Sequence, residues 1–258
     1  MLEVNVPHPI IRVEQLTAGY EDKIALDKVS LSVAEKDFLG IIGPNGGGKT
    51  TLMKVILGIL QPFSGSISYY RNGQEVNDLT IGYLPQYNET DHHFPISVAE
   101  VVLSGLGKQK SIWGAYSKTQ KEQALATLEK MQLGDMKDRA IGSLSGGQLQ
   151  RVLLARAIVS QPEVVLLDEP NTYIDKRFQE HMYKMLETIN KECAIIIVSH
   201  DIGTILQNVK NVACVNKTLH YHAGTELSPH ELEEHWGCPI ELVGHGKMPH
   251  RVLKSHED

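Results

Sequence analysis

Short runs of apolar residues recur along the chain, and segments with helical spacing separate them. Phe38–Ile42, Val164–Leu167 and Ala194–Val198 are unbroken by charge and have the length of strands buried on both faces. Thr51–Leu57 and Lys118–Met131 instead repeat their apolar residues with a helical period. This alternation of buried strands with amphipathic helices predicts an α/β fold with a mostly parallel sheet.

The region from about Tyr87 to Ser143 departs from this alternation. It contains no apolar run of the buried-strand kind, whereas Lys118–Met131 within it reads as an amphipathic helix. We therefore expect a helical subdomain inserted into the α/β domain. A chain of 258 residues is long enough to bury the core of one such domain together with its insertion.

A glycine-rich loop follows the first buried strand and leads into the first helix. It fits the G-x-x-x-x-G-K-[ST] pattern and, with the threonine after it, comprises Gly43, Pro44, Asn45, Gly46, Gly47, Gly48, Lys49, Thr50 and Thr51. Glycines let backbone N–H groups surround phosphate oxygens, and the helix N-terminus adds a partial positive charge. Lys49 is expected to reach the β- and γ-phosphates, and the Thr50 hydroxyl to bind Mg²⁺. The loop predicts a nucleoside triphosphate site, against the alternative of an ordinary strand-to-helix turn.

An acidic pair ends the second buried run. Asp168 and Glu169 follow Val164–Leu167 directly and precede Pro170. The end of a parallel strand is where open α/β sheets bind ligands. Adjacent strand residues point to opposite sides, so one carboxylate can face a metal while its neighbour turns to a nucleophile. The alternative is a solvated acidic turn.

A second glycine-containing segment comes about a hundred residues after the phosphate loop. It comprises Leu144, Ser145, Gly146, Gly147 and Gln148, and a helical pattern follows it. Ser145 with Gln148 three residues later is a capping-box pattern, which marks a helix start. A capped helix start with two glycines is a candidate second anion site, against the alternative of a capped surface helix.

The phosphate loop and the segment 144–148 together resemble the ATP-binding-cassette (ABC) ATPases, and the resemblance extends over about residues 10–222. It implies a P-loop NTPase fold: a mostly parallel core sheet, an N-terminal antiparallel β part, and an α-helical subdomain inserted at about 87–159. The ABC ATPase domain would span residues 1–222. A histidine-rich tail, residues 223–258, would follow it.

The resemblance also implies roles in hydrolysis. It assigns Asp168 to the Mg²⁺ shell, with Thr50 and Gln86, and Glu169 to the attacking water as general base or water-orienting group. His200, which follows the third apolar run, matches a histidine that contacts the γ-phosphate. Gln86 matches a glutamine that couples Mg²⁺ to a transmembrane partner, against the alternative of a solvated loop amide.

The same resemblance implies three further roles, and two residues depart from the family pattern. Tyr20 matches the aromatic residue that stacks on adenine, and Asp175 matches a loop aspartate at a dimer contact. Tyr173 is bulkier than the residue usual beside that aspartate. Gly47 replaces the usual Ser or Ala, which adds flexibility but removes no phosphate ligand. The segment 144–148 would close over the ATP of a second copy in a head-to-tail homodimer. The site would then be completed only on dimerisation, and a single subunit would hydrolyse ATP slowly.

Composition narrows the setting in which the chain works. The net charge is −6 with no basic block, which argues against nucleic acid as the main partner. No stretch approaches about 20 consecutive apolar residues, and the N-terminus shows no signal-peptide pattern. The scattered Cys193, Cys214 and Cys238 suit a reducing cytosol. With the resemblance, these features imply a peripheral subunit on the cytoplasmic face of the membrane, bound to a separate integral permease.

The segment His92–Gly105 bears on the cargo. Its Phe-Pro-x-Ser-Val pattern resembles the segment after the glutamine loop in ATPases of bacterial zinc and manganese importers. The resemblance implies import of a divalent transition metal, zinc first and manganese second, delivered by an extracytoplasmic metal-binding protein. An importer ATPase for iron, a metal chelate or a cobalamin-like cofactor is the nearer alternative. A soluble ABC ATPase without a transport role is the more distant one.

The C-terminal tail is rich in histidine. Seven of the twelve histidines lie from His220 onward, and Cys238 lies among them. Imidazole and thiolate suit zinc, but the spacing fits no standard zinc motif. Ser228-Pro229-His230-Glu231 predicts a short helix near 229–236. Metal binding by the tail and a solvated tail both remain open.

Overall fold

The computed structural model describes residues 8–86, 95–107, 115–171, 176–226, 241–245 and 248–252. Contacts divide the chain into two compact units. Unit 1 comprises Met1–Asp78 and Ala194–Asp258, and unit 2 comprises Leu79–Cys193. The division predicted from the motifs, residues 1–222 with an insertion at about 87–159 and a tail from 223, stays a prediction.

The strands and the helices are each numbered in chain order. The strands are β1 (Pro9–Tyr20), β2 (Lys23–Ala34), β3 (Phe38–Ile42), β4 (Ser64–Arg71), β5 (Gln74–Val76), β6 (Ile81–Leu84), β7 (Val164–Asp168), β8 (Ala194–Val198), β9 (Asn211–Asn216), β10 (Thr218–His222), β11 (Glu241–His245) and β12 (Met248–Val252). The helices are α1 (Lys49–Ile56), α2 (Val98–Ser104), α3 (Lys118–Lys130), α4 (Gly146–Ile158), α5 (Lys176–Asn190) and α6 (Ile202–Asn208), with short 3₁₀ turns at Gly134–Met136 and Ile141–Ser143.

Unit 1 contains an antiparallel sheet of order β2-β1-β4-β5. β1 and β2 are joined by a two-residue turn, and Glu21 in that turn has a φ of +50°. Along β2 the buried Val29, Leu31 and Val33 alternate with more exposed residues, the pattern of a sheet with one face against a core. This sheet is the antiparallel N-terminal part that the sequence predicted.

Four more strands of unit 1 lie in a second sheet in the order β10-β9-β3-β8. β3 pairs in parallel with both β8 and β9, and only β9 and β10 are antiparallel. Every residue of β3 and β8 is buried, as the unbroken apolar runs predicted. Gly40 lets α6 approach β3, because a Cβ there would lie 2.5 Å from Ile205 Cγ2. The chain therefore reaches the phosphate loop from a strand that is covered on both sides.

Unit 2 combines the parallel pair β6 and β7 with helices α2 to α5. α3 confirms the amphipathic helix predicted at 118–131. Three of the helices begin with a capping box, in which Ser97, Ser117 or Ser145 accepts a hydrogen bond from the backbone N–H three residues later. Gly82 of β6 lies against the backbone carbonyl of Ala157 in α4. This close approach requires a residue without a side chain.

The tail contains a feature that the sequence did not predict. β11 and β12 pair as an antiparallel hairpin, with Glu241 opposite Val252 and His245 opposite Met248. The helix predicted near 229–236 lies outside the described residues. Within the parts of the chain that the structure describes, no helix has both the length and the apolar character needed to cross a bilayer.

Candidate functional site

The phosphate loop of unit 1 runs from the end of β3 to the start of α1. Lys49, the first residue of α1, is only 6% exposed. Its Nζ donates hydrogen bonds to the carbonyl oxygens of Gly43 and Pro44, each at 2.9 Å. The loop therefore wraps around its own lysine. An ammonium with three donors can exchange these carbonyls for phosphate oxygens without leaving the loop.

Two loop glycines adopt left-handed backbone. Gly46 has a φ of +76° and Gly48 a φ of +102°. At Gly46 a Cβ would meet nothing within 4 Å, whereas at Gly48 it would lie 2.5 Å from Leu26 Cδ2 and 2.6 Å from Ala25 O. Gly46 is thus needed for its conformation, and Gly48 for both conformation and space.

The turn between β9 and β10 supports the loop from below. Lys217 N–H donates to Gly47 O at 2.9 Å, and Asp27 N–H donates to Lys217 O at 2.7 Å. A Cβ at Gly47 would lie 2.7 Å from Val215 O. The glycine that departs from the family pattern is therefore matched to a close β9–β10 turn. Sequence reasoning missed Lys217 because it acts through its backbone, which no side-chain pattern reveals.

His200 lies at the same edge of the unit 1 sheet as the loop. It follows β8, which runs parallel to β3 with Val198 opposite Ile41. Ser199 N–H donates to Ile41 O at 3.3 Å, and Asp201 caps α6 by accepting from Thr204 N–H. The His200 side chain is exposed. The structure thus brings the predicted histidine and the phosphate loop to the ends of neighbouring strands.

Tyr20 ends β1 and is 46% exposed. The Lys54 ammonium lies 5.2 Å from the centre of the Tyr20 ring, a cation–π contact. Lys54 belongs to α1, the helix that begins with Lys49. The predicted adenine-stacking residue is therefore beside the helix of the phosphate loop and has exposed ring surface.

In unit 2 the acidic pair ends β7. Asp168 is the last strand residue and is 1% exposed, whereas Glu169 turns out of the strand with a φ of +50°. β6 runs parallel beside it, with Leu84 opposite Leu167. Gln86, two residues beyond Leu84, therefore meets Glu169, and its Nε2 donates to Glu169 Oε2 at 3.3 Å. The structure brings together two of the three residues predicted to act in catalysis.

The negative charge of Asp168 affects the pKa of Tyr83 in β6. Burial, and second the negative charge of Asp168, raise the pKa of Tyr83 to about 12. The phenol is therefore neutral at physiological pH. Within unit 2, the carboxylate of Asp168 and the amide oxygen of Gln86 are oxygen ligands, the kind that Mg²⁺ prefers.

The segment 144–148 forms the start of α4. The Ser145 hydroxyl accepts from Gln148 N–H at 3.3 Å, and Gln148 Oε1 accepts from Ser145 N–H at 3.0 Å. Leu144 is buried, while Ser145 is exposed. The predicted capping box is present, and the free end of this helix faces solvent, where it can meet an anion.

Some predicted features lie outside the described residues. These are Asp175 and Tyr173 of the loop after the acidic pair, and His92, His93 and Phe94 of the segment that bears on the cargo. Within the ranges that the structure does describe, no group of three or more His, Cys, Asp or Glu residues is arranged to hold a metal ion. The roles assigned to these residues remain predictions.

Comparison with known families covers most of the chain. A family model described as ABC transporter matches residues 26–172. A Chlamydia trachomatis protein named "Probable metal transport system ATP-binding protein" is 45% identical over 201 residues, which are 78% of this chain and 85% of the relative. The Listeria monocytogenes zinc uptake system ATP-binding protein ZurA is 36% identical over 230 residues, which are 87% of this chain and 90% of the relative.

Solved structures agree on the fold. A chain of an ABC transporter in an inward-facing conformation superposes with a TM-score of 0.83 at 24% identity, covering 96% of this chain and 98% of that one. The ATP-binding cassette MJ0796, solved as a dimer in a post-hydrolysis state with ADP and Pi, has a TM-score of 0.70 at 25% identity. The superposition covers 84% of this chain and 100% of the MJ0796 chain. These matches confirm the predicted P-loop α/β architecture.

Proposed function

This chain belongs to the ABC transporter family as an ATP-binding subunit, and we propose that it powers import of a divalent transition metal through a separate permease. ATP-binding subunits of this family are ATPases coupled to transport, so ATP hydrolysis is its enzymatic activity. The single observation that supports the assignment of the cargo is the similarity, over most of the chain, to relatives named for metal transport and zinc uptake. Zinc is the first candidate and manganese the second.

ATP binds in unit 1. The backbone N–H groups of the phosphate loop and the N-terminus of α1 hold the phosphates, and Lys49 transfers its hydrogen bonds from Gly43 O and Pro44 O to the β- and γ-phosphates. Adenine stacks on the exposed ring of Tyr20. The position of Tyr20 beside α1 supports this assignment, because one nucleotide must reach both the loop and the ring.

Glu169 activates the water that attacks the γ-phosphate, as a base or by orienting it. The Gln86 amide holds one oxygen of that carboxylate and so fixes its direction. His200, at the edge of the phosphate-loop sheet, contacts the γ-phosphate. Thr50, Gln86 and Asp168 would hold Mg²⁺, which supplies charge neutralisation for the phosphates when bound.

The working form is a homodimer. Ser145 and the glycines after it close over the ATP of the other copy, and Asp175 lies at the contact. The dimer of MJ0796 and the exposed Ser145 at the start of α4 support this arrangement. Each copy then completes the site of its partner, and a single copy hydrolyses ATP slowly.

Two copies on the cytoplasmic face of the membrane would drive an integral permease, gripping it near Gln86, and an extracytoplasmic metal-binding protein would deliver the ion. An importer of iron, a metal chelate or a cobalamin-like cofactor uses the same ATPase chemistry and is the second candidate. These assignments rest on ancestry, because the cargo passes through the permease and not through this chain.

Cellular metal content tests the cargo. Metal-limited cells that carry only this chain, its Glu169→Gln form or its Glu192→Gln form are compared by elemental mass spectrometry. Glu192 is an exposed carboxylate of unit 2 and serves as the matched control. We expect zinc or manganese to fall in the Glu169→Gln cells alone. Unchanged content of every metal, with the variant expressed and binding ATP, would contradict metal import and leave the ATPase assignment intact.

A further inference from the structure

One buried amide on the α4 helix reaches the turn that carries the acidic pair. Gln150 is only 2% exposed and lies five residues after Ser145, the cap of the same helix. Its Nε2 donates a hydrogen bond to the carbonyl oxygen of Pro170 at 3.2 Å. Pro170 directly follows Glu169. A single side chain therefore connects the helix start predicted to bind the partner's ATP with the carboxylate predicted to act on water.

The turn that Gln150 contacts is conformationally demanding. Glu169 has a φ of +50°, a left-handed conformation that non-glycine residues adopt at a cost. Such a conformation persists only where the surroundings over-determine it. Three side-chain hydrogen bonds do so here: from Gln86 to the Glu169 carboxylate, from Gln150 to Pro170 O, and from Asn171 Nδ2 to Tyr183 Oη at 3.2 Å.

Helix α5 holds the same turn and also contacts α4. It contributes Tyr183, which accepts from Asn171, and Phe178, whose ring lies under the Arg151 guanidinium at 4.9 Å from its centre. Arg151 is the neighbour of Gln150 on α4. Specific side-chain contacts within unit 2 therefore join α4, the turn and α5. A displacement of α4 would change the position of Pro170.

Two amide oxygens at this place retain capacity for a further bond. Gln150 Oε1 and Asn171 Oδ1 are buried without a hydrogen-bond partner in the part of the chain that the structure describes. A buried acceptor in that condition is costly. Each of these oxygens can accept a further hydrogen bond, so a shift of the turn at Pro170 need not leave it with fewer partners.

We propose that Gln150 is a positioning residue that couples engagement of Ser145 by the partner's ATP to the orientation of Glu169 in its own copy. The proposal rests on the function proposed above, in which Glu169 acts on water and Ser145 faces the ATP of the partner. An α-helix, with a rise of about 1.5 Å per residue, carries a shift at Ser145 to Gln150 over about 7.5 Å with little loss. Gln150 then moves or holds the Pro170 carbonyl, and with it Glu169.

The test is the Gln150→Leu variant of the full chain, which keeps the volume and removes the donor. We expect kcat for ATP to fall by about tenfold or more, because small misplacement of a reacting group is costly, with the KM for ATP within about twofold of wild type. In a Glu169→Gln background, ATP-dependent dimerisation measured by light scattering should be retained. This split separates a positioning role from a loss of binding.

Asn190→Leu is the matched control. Asn190 is 3% exposed, lies in unit 2, and its Nδ2 donates to a backbone carbonyl, that of Cys193, at 3.1 Å. It should lose thermal stability as Gln150→Leu does while keeping kcat per folded molecule. Equal kcat values for the two variants would overturn the proposal, as would an effect of Gln150→Leu on KM or dimerisation alone.

Two further comparisons keep the outcome decisive. If Gln150→Leu does not fold, Gln150→Met, which is unbranched and of similar length, replaces it with the same expectations. If wild type hydrolyses ATP and Glu169→Gln does not, an unchanged kcat in Gln150→Leu overturns the coupling role of Gln150 but leaves the role of Glu169 in place. If wild type and Glu169→Gln hydrolyse ATP equally, the function assigned to Glu169 has failed, and the role of Gln150 fails with it.

Discussion

The phosphate loop and the acidic turn, to which we propose separate roles in ATP hydrolysis, are held in different ways. The loop is fixed by backbone: glycines in left-handed conformation, and main-chain hydrogen bonds to the β9–β10 turn. The turn at Glu169 is fixed by side chains, those of Gln86, Gln150 and Tyr183. Phosphate is bound by N–H groups that every residue has, whereas a reacting carboxylate must be aimed by specific partners. Substitutions should therefore affect the two regions differently.

The largest expected effect is at the acidic turn. Glu169→Gln keeps the size of the side chain but removes its basicity, so kcat should fall by about 10²–10⁴-fold while ATP binding is retained. Steady-state ATPase rates and equilibrium binding of a fluorescent ATP analogue measure the two. Glu192→Gln is the control and should match wild type. A parallel loss of ATP affinity in Glu169→Gln would mean that the turn also holds the phosphates.

The phosphate loop should respond to backbone changes. Gly48→Ala combines a left-handed conformation with contacts to Leu26 and Ala25, so it should cost about 3 kcal/mol in unfolding free energy and abolish ATP binding. Gly46→Ala has only the conformational cost of about 1 kcal/mol, because its Cβ meets nothing within 4 Å. Urea unfolding of both variants measures the difference. Equal losses would show that space around the loop does not matter.

Loss of the adenine contact at Tyr20 should have a smaller effect than the changes at Glu169 or in the phosphate loop. Tyr20→Ala should weaken ATP binding by about tenfold through loss of one stacked base, with kcat at saturating ATP unchanged. Tyr20→Phe keeps the ring and should bind as wild type does. Lys54→Met, which removes the cation from the Tyr20 ring, should change affinity only about twofold. Isothermal titration calorimetry with ATP compares the three, and full affinity in Tyr20→Ala would place adenine elsewhere.

The smallest effect is a pH dependence at Tyr83, the neighbour of Asp168. Burial and the Asp168 charge raise the pKa of Tyr83 from 10.0 to about 12, so the folded state favours the protonated phenol. That contribution to stability is complete below pH 10 and is lost as pH rises through about 12. Wild type should therefore lose melting temperature more steeply between pH 10 and 12 than Tyr83→Phe. Parallel curves in calorimetry would contradict a shifted phenol.

Prediction from sequence succeeded for features that a single short segment of the chain determines. The apolar runs at Phe38–Ile42 and Ala194–Val198 became fully buried strands, and Ser145 became a helix cap. The contact between Gln86 and Glu169 could be anticipated only as two separate roles, because 83 residues separate them along the chain. The hairpin at 241–252 was not predicted, because apolar and polar residues alternate only weakly along its strands.

The sequence by itself determined the class of the protein, because the phosphate loop and the segment 144–148 are local patterns whose resemblance to the ABC ATPases can be recognised without the fold. Tertiary structure alone decided what supports those motifs. Lys217 contributes a backbone N–H to Gly47 across a hairpin, and Gln150 reaches Pro170 twenty residues away. Neither residue belongs to a pattern that chemistry imposes on neighbouring positions. Long-range contacts arise from how buried strands and helices pack, and packing is a property of the whole core.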